Sequence, residues 1–410
     1  MAALALSHVY PLGSRLNERG RLEVGGCDVV ELAREFGTPA YVYAEDDMRT
    51  RARTFLEAFR ARTERFEVVY AGKAFPCTAV FRLFADEGLS ADVASAGELH
   101  LALAGGYDPG RLYLHGNNKS QAELDFAIER GIGHVVVDSF HEIERLRGRR
   151  QLVLLRVTPG IEVSTHSHIR TGQVDSKFGF APDEVPRAVD ACAAAGLELR
   201  GLHAHIGSQI FDLEAFEKVA EVLGPMGDWP LLNLGGGLGI AYTREDEPPS
   251  IEAYAEALLR GAPDGVKVAS EPGRALVGNA GVTIYTVGTV KRIPGVRTYV
   301  AVDGGMSDNL RPMLYGARYE AEIADRFGGE DVCTVVGKHC ESGDVLVRDV
   351  PLADPRPGDV LVVPATGAYS HAMANNYNAL PRPPVIFCSQ GDARVVVRRE
   401  TYDDLTRRDA

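Results

Sequence analysis

Cysteine is scarce in this chain, and no two cysteines stand close together. Six lie at 27, 77, 192, 333, 340 and 388 among 410 residues, with no Cys-x-x-Cys pair. That excludes a disulfide framework and makes a reducing compartment the default. Excess positive charge is lacking too. Lys and Arg number 44 against 57 Asp and Glu, a net charge of −13, which suits neither nucleic acid nor an anionic membrane surface. There is no run of about 18 apolar residues, the length a spanning helix needs. The N-terminal MetAlaAlaLeuAlaLeuSer is apolar but short, and Arg15 is the first Lys or Arg, so it does not read as a secretory signal. Internal repeats and low-complexity tracts are also missing. The expectation is a cytoplasmic enzyme without membrane or nucleic-acid partners.

What is present is an ordinary globular balance, 45% hydrophobic and 25% charged, long enough for two or three domains at roughly 150 residues each. From about 65 to 275, short β-rich runs alternate with stretches of helical period. Eight strands are predicted, at 67–72, 89–93, 112–115, 134–137, 153–157, 200–206, 231–235 and 267–271. Eight β-then-α units suit a (β/α)8 TIM barrel, with a doubly wound sheet as the rival. After 281, strands follow one another without helices, at 282–287, 298–302, 333–336, 359–363, 384–388 and 393–398. The expected organisation is therefore an N-terminal segment 1–40, a barrel over 41–280 and a β-sandwich or β-barrel-like domain over 281–410. Residues 1–40 should pack with that last domain, because chain ends often lie close together.

The unusual residues gather at strand ends. Lys73 follows the first strand, Asp92 and Ser95 the second, and His115-Gly-Asn-Asn-Lys119 the third, while Asp138 ends the fourth. His203 and His205 lie in the sixth with Gly207 and Ser208 after them. Gly235, Gly236 and Gly237 follow the seventh, and Glu271-Pro-Gly-Arg274 the eighth. Barrel enzymes keep their active sites at that end. The glycine turns fall where the fold usually binds phosphate, with backbone N–H groups free to close on it. Lys73 sits in an apolar frame, a setting that frees an amine for a Schiff base, although a snorkelling or ion-paired lysine reads the same way. Phosphate site and Schiff-base lysine together suggest pyridoxal 5′-phosphate, which also needs an acidic partner for its ring nitrogen, here Glu271. A metal-hydrolase reading stays open, because His203 and His205 share a strand face and His166 and His168 supply a second such pair. Lys119 and Lys177 are expected in structural ion pairs.

An ordered set of motifs then carries a resemblance over nearly the whole chain. It comprises TyrAlaGlyLysAlaPhe (70–75), HisGlyAsnAsnLysSer (115–120), ThrGlyGlnValAspSerLysPheGly (171–179), GlyLeuHisAlaHisIleGlySerGln (201–209) and LeuGlyGlyGlyLeuGlyIle (234–240). GluProGlyArg (271–274), ArgProMetLeuTyrGly (311–316), CysGluSerGlyAsp (340–344), GlyAlaTyr (367–369) and AsnTyrAsnAlaLeuProArgPro (376–383) complete it. In these the chain resembles the pyridoxal-phosphate-dependent decarboxylases of the alanine-racemase-like fold. Within that family it is similar to the branch that turns meso-2,6-diaminopimelate into L-lysine and CO2, the last step of lysine synthesis. The resemblance implies that Lys73 holds the cofactor and His205 stacks on its ring. Ser208, Gly235, Gly236, Gly237, Gly273, Arg274 and Tyr369 would bind or flank the phosphate, and Glu271 the ring nitrogen. Arg274, Arg311, Tyr315 and Tyr369 would hold substrate carboxylate, Glu341 the distal amine, and Cys340 would give the proton. It further implies a homodimer in which Cys340 and Glu341 reach the other chain's site. Arginine in place of Glu271 would favour racemisation, so the glutamate speaks for decarboxylation.

Two departures concern the substrate. His339 replaces an apolar residue before Cys340, and Tyr319-Glu320 stands where a Tyr-His pair is common. They leave room for a relative acting on ornithine, lysine or carrier-bound glutamate. A catalytically dead relative that binds a partner is disfavoured by the presence of Lys73, Glu271 and Cys340.

Overall fold

Eight of the β-rich runs become parallel strands of one closed barrel. They are β1 (Phe66–Ala71), β2 (Ser90–Val93), β3 (Leu112–Leu114), β4 (His134–Val137), β5 (Leu152–Arg156), β6 (Glu198–His203), β7 (Leu231–Asn233) and β8 (Lys267–Ser270). Each pairs with the next, and β8 returns to β1, so the open doubly wound alternative is excluded. The computed structural model describes residues 6–161 and 176–410. His166, His168 and residues 171–175 of one motif lie outside them.

The loops after β2 and β4 are short because helices begin soon afterwards. Ser95, Ser120, Ser139, Asp212 and Ser250 each cap a helix by accepting a backbone N–H. Such a cap is worth about 1 kcal/mol. Ser120 also donates its own backbone N–H to the Glu123 carboxylate in return.

Side chains alternate across a strand, so every second residue enters the barrel. Val69, Tyr113, Val136, Leu154, Leu231 and Ala269 form one buried apolar cluster from six strands. Two residues further along, at or just past the ends of the same strands, stand Ala71, His115, Asp138, Arg156, Asn233 and Glu271, with Asp92 and His203 supplied by β2 and β6. All seven polar members are buried, from 0 to 9% exposed. An apolar layer thus carries a polar one at the C-terminal mouth.

Lys119, in the loop after β3, is part of the support for that layer. Its Nζ lies 2.5 Å from Glu142 Oε1, with side chains 3% and 2% exposed. It also donates to the Gly116 and Val136 carbonyls. This is the structural ion pair expected of it. Lys177 instead lies over the Phe178 ring.

The chain forms two compact units, the barrel unit (Arg51–Gly239 and Pro248–Ala275) and a second (Met1–Thr50, Ile240–Glu247 and Leu276–Ala410). The second is built on a mostly antiparallel nine-stranded sheet. Its main path runs 345–352, 331–336, 297–302, 281–293, 40–44, 385–389 and 392–397. Strand Val360–Val363 pairs with Gly281–Ile293, and Glu322–Ile323 pairs with it in turn. The limit drawn at 41 falls inside strand Ala40–Ala44, which pairs with the strands at 281–293 and 385–389. In sequence that strand leads straight into helix Glu45–Arg60 and so looks like another βα unit. Strand Val345–Leu352 is not legible in the sequence, because Arg348, Asp349 and Pro351 break its apolar pattern. It lies at the end of the sheet path, where proline is tolerated. Among the described residues no helix is long and apolar enough to cross a membrane.

Removing one partner of a buried ion pair leaves the other charged and unpaired, at a cost of roughly 3–5 kcal/mol. Lys119→Met is therefore expected to lower the denaturant midpoint of the protein strongly. Lys119→Met combined with Glu142→Leu should recover most of the loss. Equal destabilisation by the single and double variants would show that the pair is not the determinant.

Candidate active site

The polar layer closes around one carboxylate. Glu271, the residue after β8, receives the Asn233 Nδ2–H on Oε1 at 2.7 Å. His203 Nε2 lies 3.1 Å from Oε2. His115 Nε2 lies 3.0 Å from Oε1 but off the hydrogen-bond line. The two imidazoles meet edge to face with centroids 4.8 Å apart. Burial works against the charge on Glu271, yet His115 and His203 outweigh it and hold the carboxyl well below the usual range. Burial also drives His203 down to about 4, against the pull of Glu271, so its ring is neutral. Its Nδ1 is buried without a hydrogen-bond partner among the described residues, which puts the proton on Nε2, facing the carboxylate.

Asp92 behaves oppositely. Burial raises its pKa to about 7, with His115 and Lys73 pulling it down and Glu271 pushing it up. Its Oδ1 accepts the Gly72 N–H at 3.2 Å. That bond fixes the short turn Gly72–Ala74, which presents Lys73 exposed just past β1. His205 lies two residues beyond β6. Gly236 N–H donates to its Nδ1 at 3.3 Å. Burial first, then the charges of Lys73 and Arg156, hold its pKa well below the ordinary value, so it offers a neutral ring face.

The glycine turn packs tightly beside these groups. Gly235 has φ +69°, and a Cβ on Gly236 would stand 2.0 Å from the Glu271 carbonyl oxygen. A Cβ on Gly237 would meet the Gly207 carbonyl oxygen at 2.5 Å, and one on Gly273 the Ala71 Cβ at 2.9 Å. Arg274 Nη2 donates to Ser208 Oγ at 2.9 Å. Lys73, His205, Ser208, Gly235, Gly236, Gly237, Glu271, Gly273 and Arg274 are thus all carried by the barrel unit.

The other candidates belong to the second unit. Arg311 is buried, donates to the Tyr319 hydroxyl and stacks 4.4 Å over the Tyr242 ring. Burial opposes its charge, but Tyr242, Tyr319 and Tyr369 keep the guanidinium firmly protonated. Tyr315 ends the same short helix, and Tyr369 sits in the left-handed region at φ +62°. Cys340 and Glu341 are exposed. Cys340 N–H donates to Asn378 Oδ1 at 3.0 Å, and that oxygen lies 3.3 Å from the ring of His339. His339 continues to the Ser307 hydroxyl at 2.9 Å.

Four positions of the layer carry no cofactor role in the sequence. His115 and Asp92 stand there only as strand-end residues, His203 as a possible metal ligand, and Asn233 is not singled out. For His115 and Asn233 the signal is parity, since they stand two residues beyond Tyr113 and Leu231 of the buried apolar cluster. The ligand atoms of His115, His203 and Glu271 lie within 4.8 Å of one another, a spacing that a cation could use. The pair first weighed as ligands, His203 and His205, turns to different partners, Glu271 and Gly236.

Pyridoxal phosphate needs an amine for its aldehyde, an anionic acceptor for a protonated ring nitrogen, a flat neighbour and donors for its phosphate. Lys73, Glu271, neutral His205, and Arg274 with Ser208 beside the glycine turn meet those needs. The donor set fits the group.

A buried acid whose pKa is raised in the folded state binds more protons there than when unfolded, at roughly pH 4 to 7 for Asp92. Folding stability from this group is therefore lost as pH rises through that window. Asp92→Asn removes the loss. Its stability relative to the wild type is expected to climb from pH 4 to pH 7 and then level off, read by thermal melting of the cofactor-free protein. A pH-independent difference would mean that Asp92 is ionised throughout.

Comparison with known proteins adds a lineage to this geometry. The family described as "Pyridoxal-dependent decarboxylase, pyridoxal binding domain" matches residues 45–278. A diaminopimelate decarboxylase of Bacillus subtilis is 46% identical, with 97% of each chain covered. That of Actinosynnema pretiosum is 48% identical over 98% of this chain and 95% of its own. Among solved structures, diaminopimelate decarboxylase from M. jannaschii in complex with L-lysine superposes with a TM-score of 0.91 at 33% identity, covering 97% of both chains. A lysine/ornithine decarboxylase from Vibrio vulnificus, at 22% identity and a TM-score of 0.77, shares the fold.

Proposed function

The chain belongs to the diaminopimelate decarboxylases, a branch of the pyridoxal-dependent decarboxylases, and from that membership we propose that it converts meso-2,6-diaminopimelate to L-lysine and CO2. The observation that carries the reading is Glu271, an ionised carboxylate buried at the barrel mouth. Bound pyridoxal phosphate supplies a ring that accepts the electrons left when the carboxylate departs, provided its nitrogen stays protonated.

The chain's own residues do the rest. Lys73 would hold the cofactor through Nζ. Glu271 would accept a hydrogen bond from the protonated ring nitrogen and favour its charge. His205 would lie against the ring, and its neutrality would spare the ring a competing positive charge. Ser208, Gly235, Gly236, Gly237, Gly273, Arg274 and Tyr369 would hold the phosphate or lie beside it. Arg311, Tyr315, Arg274 and Tyr369 bind substrate carboxylate, and the buried guanidinium of Arg311 suits an anion. Glu341 takes the distal ammonium, and the Cys340 thiol delivers a proton to Cα as general acid.

Cys340 and Glu341 are exposed on the single chain. We propose that they serve the site of a second copy in a homodimer, and that the enzyme works in the cytoplasm.

CO2 release from the cofactor-loaded protein tests the substrate, with meso-diaminopimelate offered beside L-lysine, L-ornithine and L-glutamate. Strong preference for diaminopimelate is expected, and silence on it would overturn the assignment. Cys340→Ala should keep the cofactor's visible absorbance and lose roughly 10²–10⁴-fold in kcat. Lys73→Ala should lose the absorbance. Mixing the two inactive variants should restore part of the activity. No recovery among proven heterodimers would mean that each site is built from one chain.

A further inference from the structure

Assigning Glu271 to the ring nitrogen leaves a question that the polar layer answers. A carboxylate and a pyridine nitrogen compete for one proton, and only a protonated ring draws electrons strongly. Something must keep the proton off Glu271. Three side chains from three other barrel segments converge on that carboxylate: Asn233 at 2.7 Å, His203 at 3.1 Å and His115 at 3.0 Å.

A carboxylate offers about four lone-pair positions. Asn233 and His115 approach Oε1, and His203 approaches Oε2. One position beside the His203 contact remains for a ring N–H. We propose that His203 and His115 are positioning residues that decide where the shared proton rests. His203 donates to Oε2, and His115 Nε2 approaches Oε1 at 3.0 Å; together they lower the proton affinity of Glu271, so the proton stays on the ring nitrogen. The proposal rests on the reading that Glu271 faces that nitrogen.

Two further features of the site agree with it. His203 presents Nε2–H to the carboxylate while its Nδ1 has no hydrogen-bond partner among the described residues, so the ring acts as a donor and carries no charge of its own. A charged imidazolium there would repel a protonated ring nitrogen. The edge-to-face packing of His115 on His203, at 75° between planes, holds both rings edge-on towards the same carboxylate.

Loss of one hydrogen bond to a charged group is worth roughly a ten- to hundredfold change in proton affinity. The measurement is the 15N resonance of the ring nitrogen in protein reconstituted with 15N-labelled pyridoxal phosphate. Wild type and His203→Gln, which keeps a donor, are expected at the protonated position. His203→Leu and His115→Phe should move the resonance towards the unprotonated position, and Glu271→Gln should move it fully. If the histidine variants stay protonated while Glu271→Gln shifts, the proposal is wrong and the Glu271 reading stands. If Glu271→Gln does not shift either, the reading itself fails. Should His203→Leu not fold, judged by melting before loading, His115→Phe decides the matter, since that residue lies at the rim of the layer. A lower kcat with little change in KM should accompany the shift, and restoration by His203→Gln but not by His203→Leu separates donation from packing.

Discussion

A carboxylate kept ionised inside a barrel is the constraint on which the rest of the site depends. An ionised group taken out of water without partners costs far more than a domain's whole stability. Glu271 is tolerated because Asn233, His203 and His115 reach it from β7, β6 and the end of β3. Those contacts need the strands in one register. β6 pairs His203 with Asn233, and β7 pairs Asn233 with Ala269, two residues short of Glu271. A slip of one residue would turn each side chain outwards. Barrel closure and the ionisation of one glutamate are thus the same requirement seen twice.

The polar layer is also internally balanced. Glu271 stands close enough to raise the proton affinity of Asp92, and the layer lets only one of them ionise fully. Glu271 keeps its charge because it has the donors, while Asp92 is pushed up to about 7. Asp138 is likewise raised by burial, with Arg156 and Lys119 opposing. Below them the layer from Val69 to Ala269 is apolar, so no water replaces a missing donor from that side.

The second unit holds its candidates differently. The segment carrying Cys340 hangs on backbone contacts to two side chains. Asp344 accepts the Met306 and His339 N–H groups at 2.7 and 2.9 Å. Asn378 accepts the Cys340 N–H from a left-handed backbone position, φ +53°. The thiol and Glu341 remain exposed, in a segment whose Gly343 lies against Met313 and whose His339 ring lies 5.5 Å from that of Tyr377. The donors around Glu271 are fixed by burial, whereas this segment is fixed at its backbone and leaves its side chains available.

By itself the sequence determined the eight β/α units, the all-β character after 281 and the gathering of Lys73, His205, Ser208, Glu271 and Arg274 at strand ends. Those features rest on local periodicity and on residue types rare in such settings, and both survive in a string of letters. Only the tertiary structure decided the parity of the inward layer and the donors to Glu271. It also placed Arg311 against Tyr242 and Tyr319, and strand Ala40–Ala44 in the sheet of the second unit. His203 looked like a metal ligand beside His205 because spacing shows a shared face but not the partner opposite. That partner, Glu271, is 68 residues away in sequence, and it meets His203 only because a closed ring of strands brings β6 and β8 to the same axis.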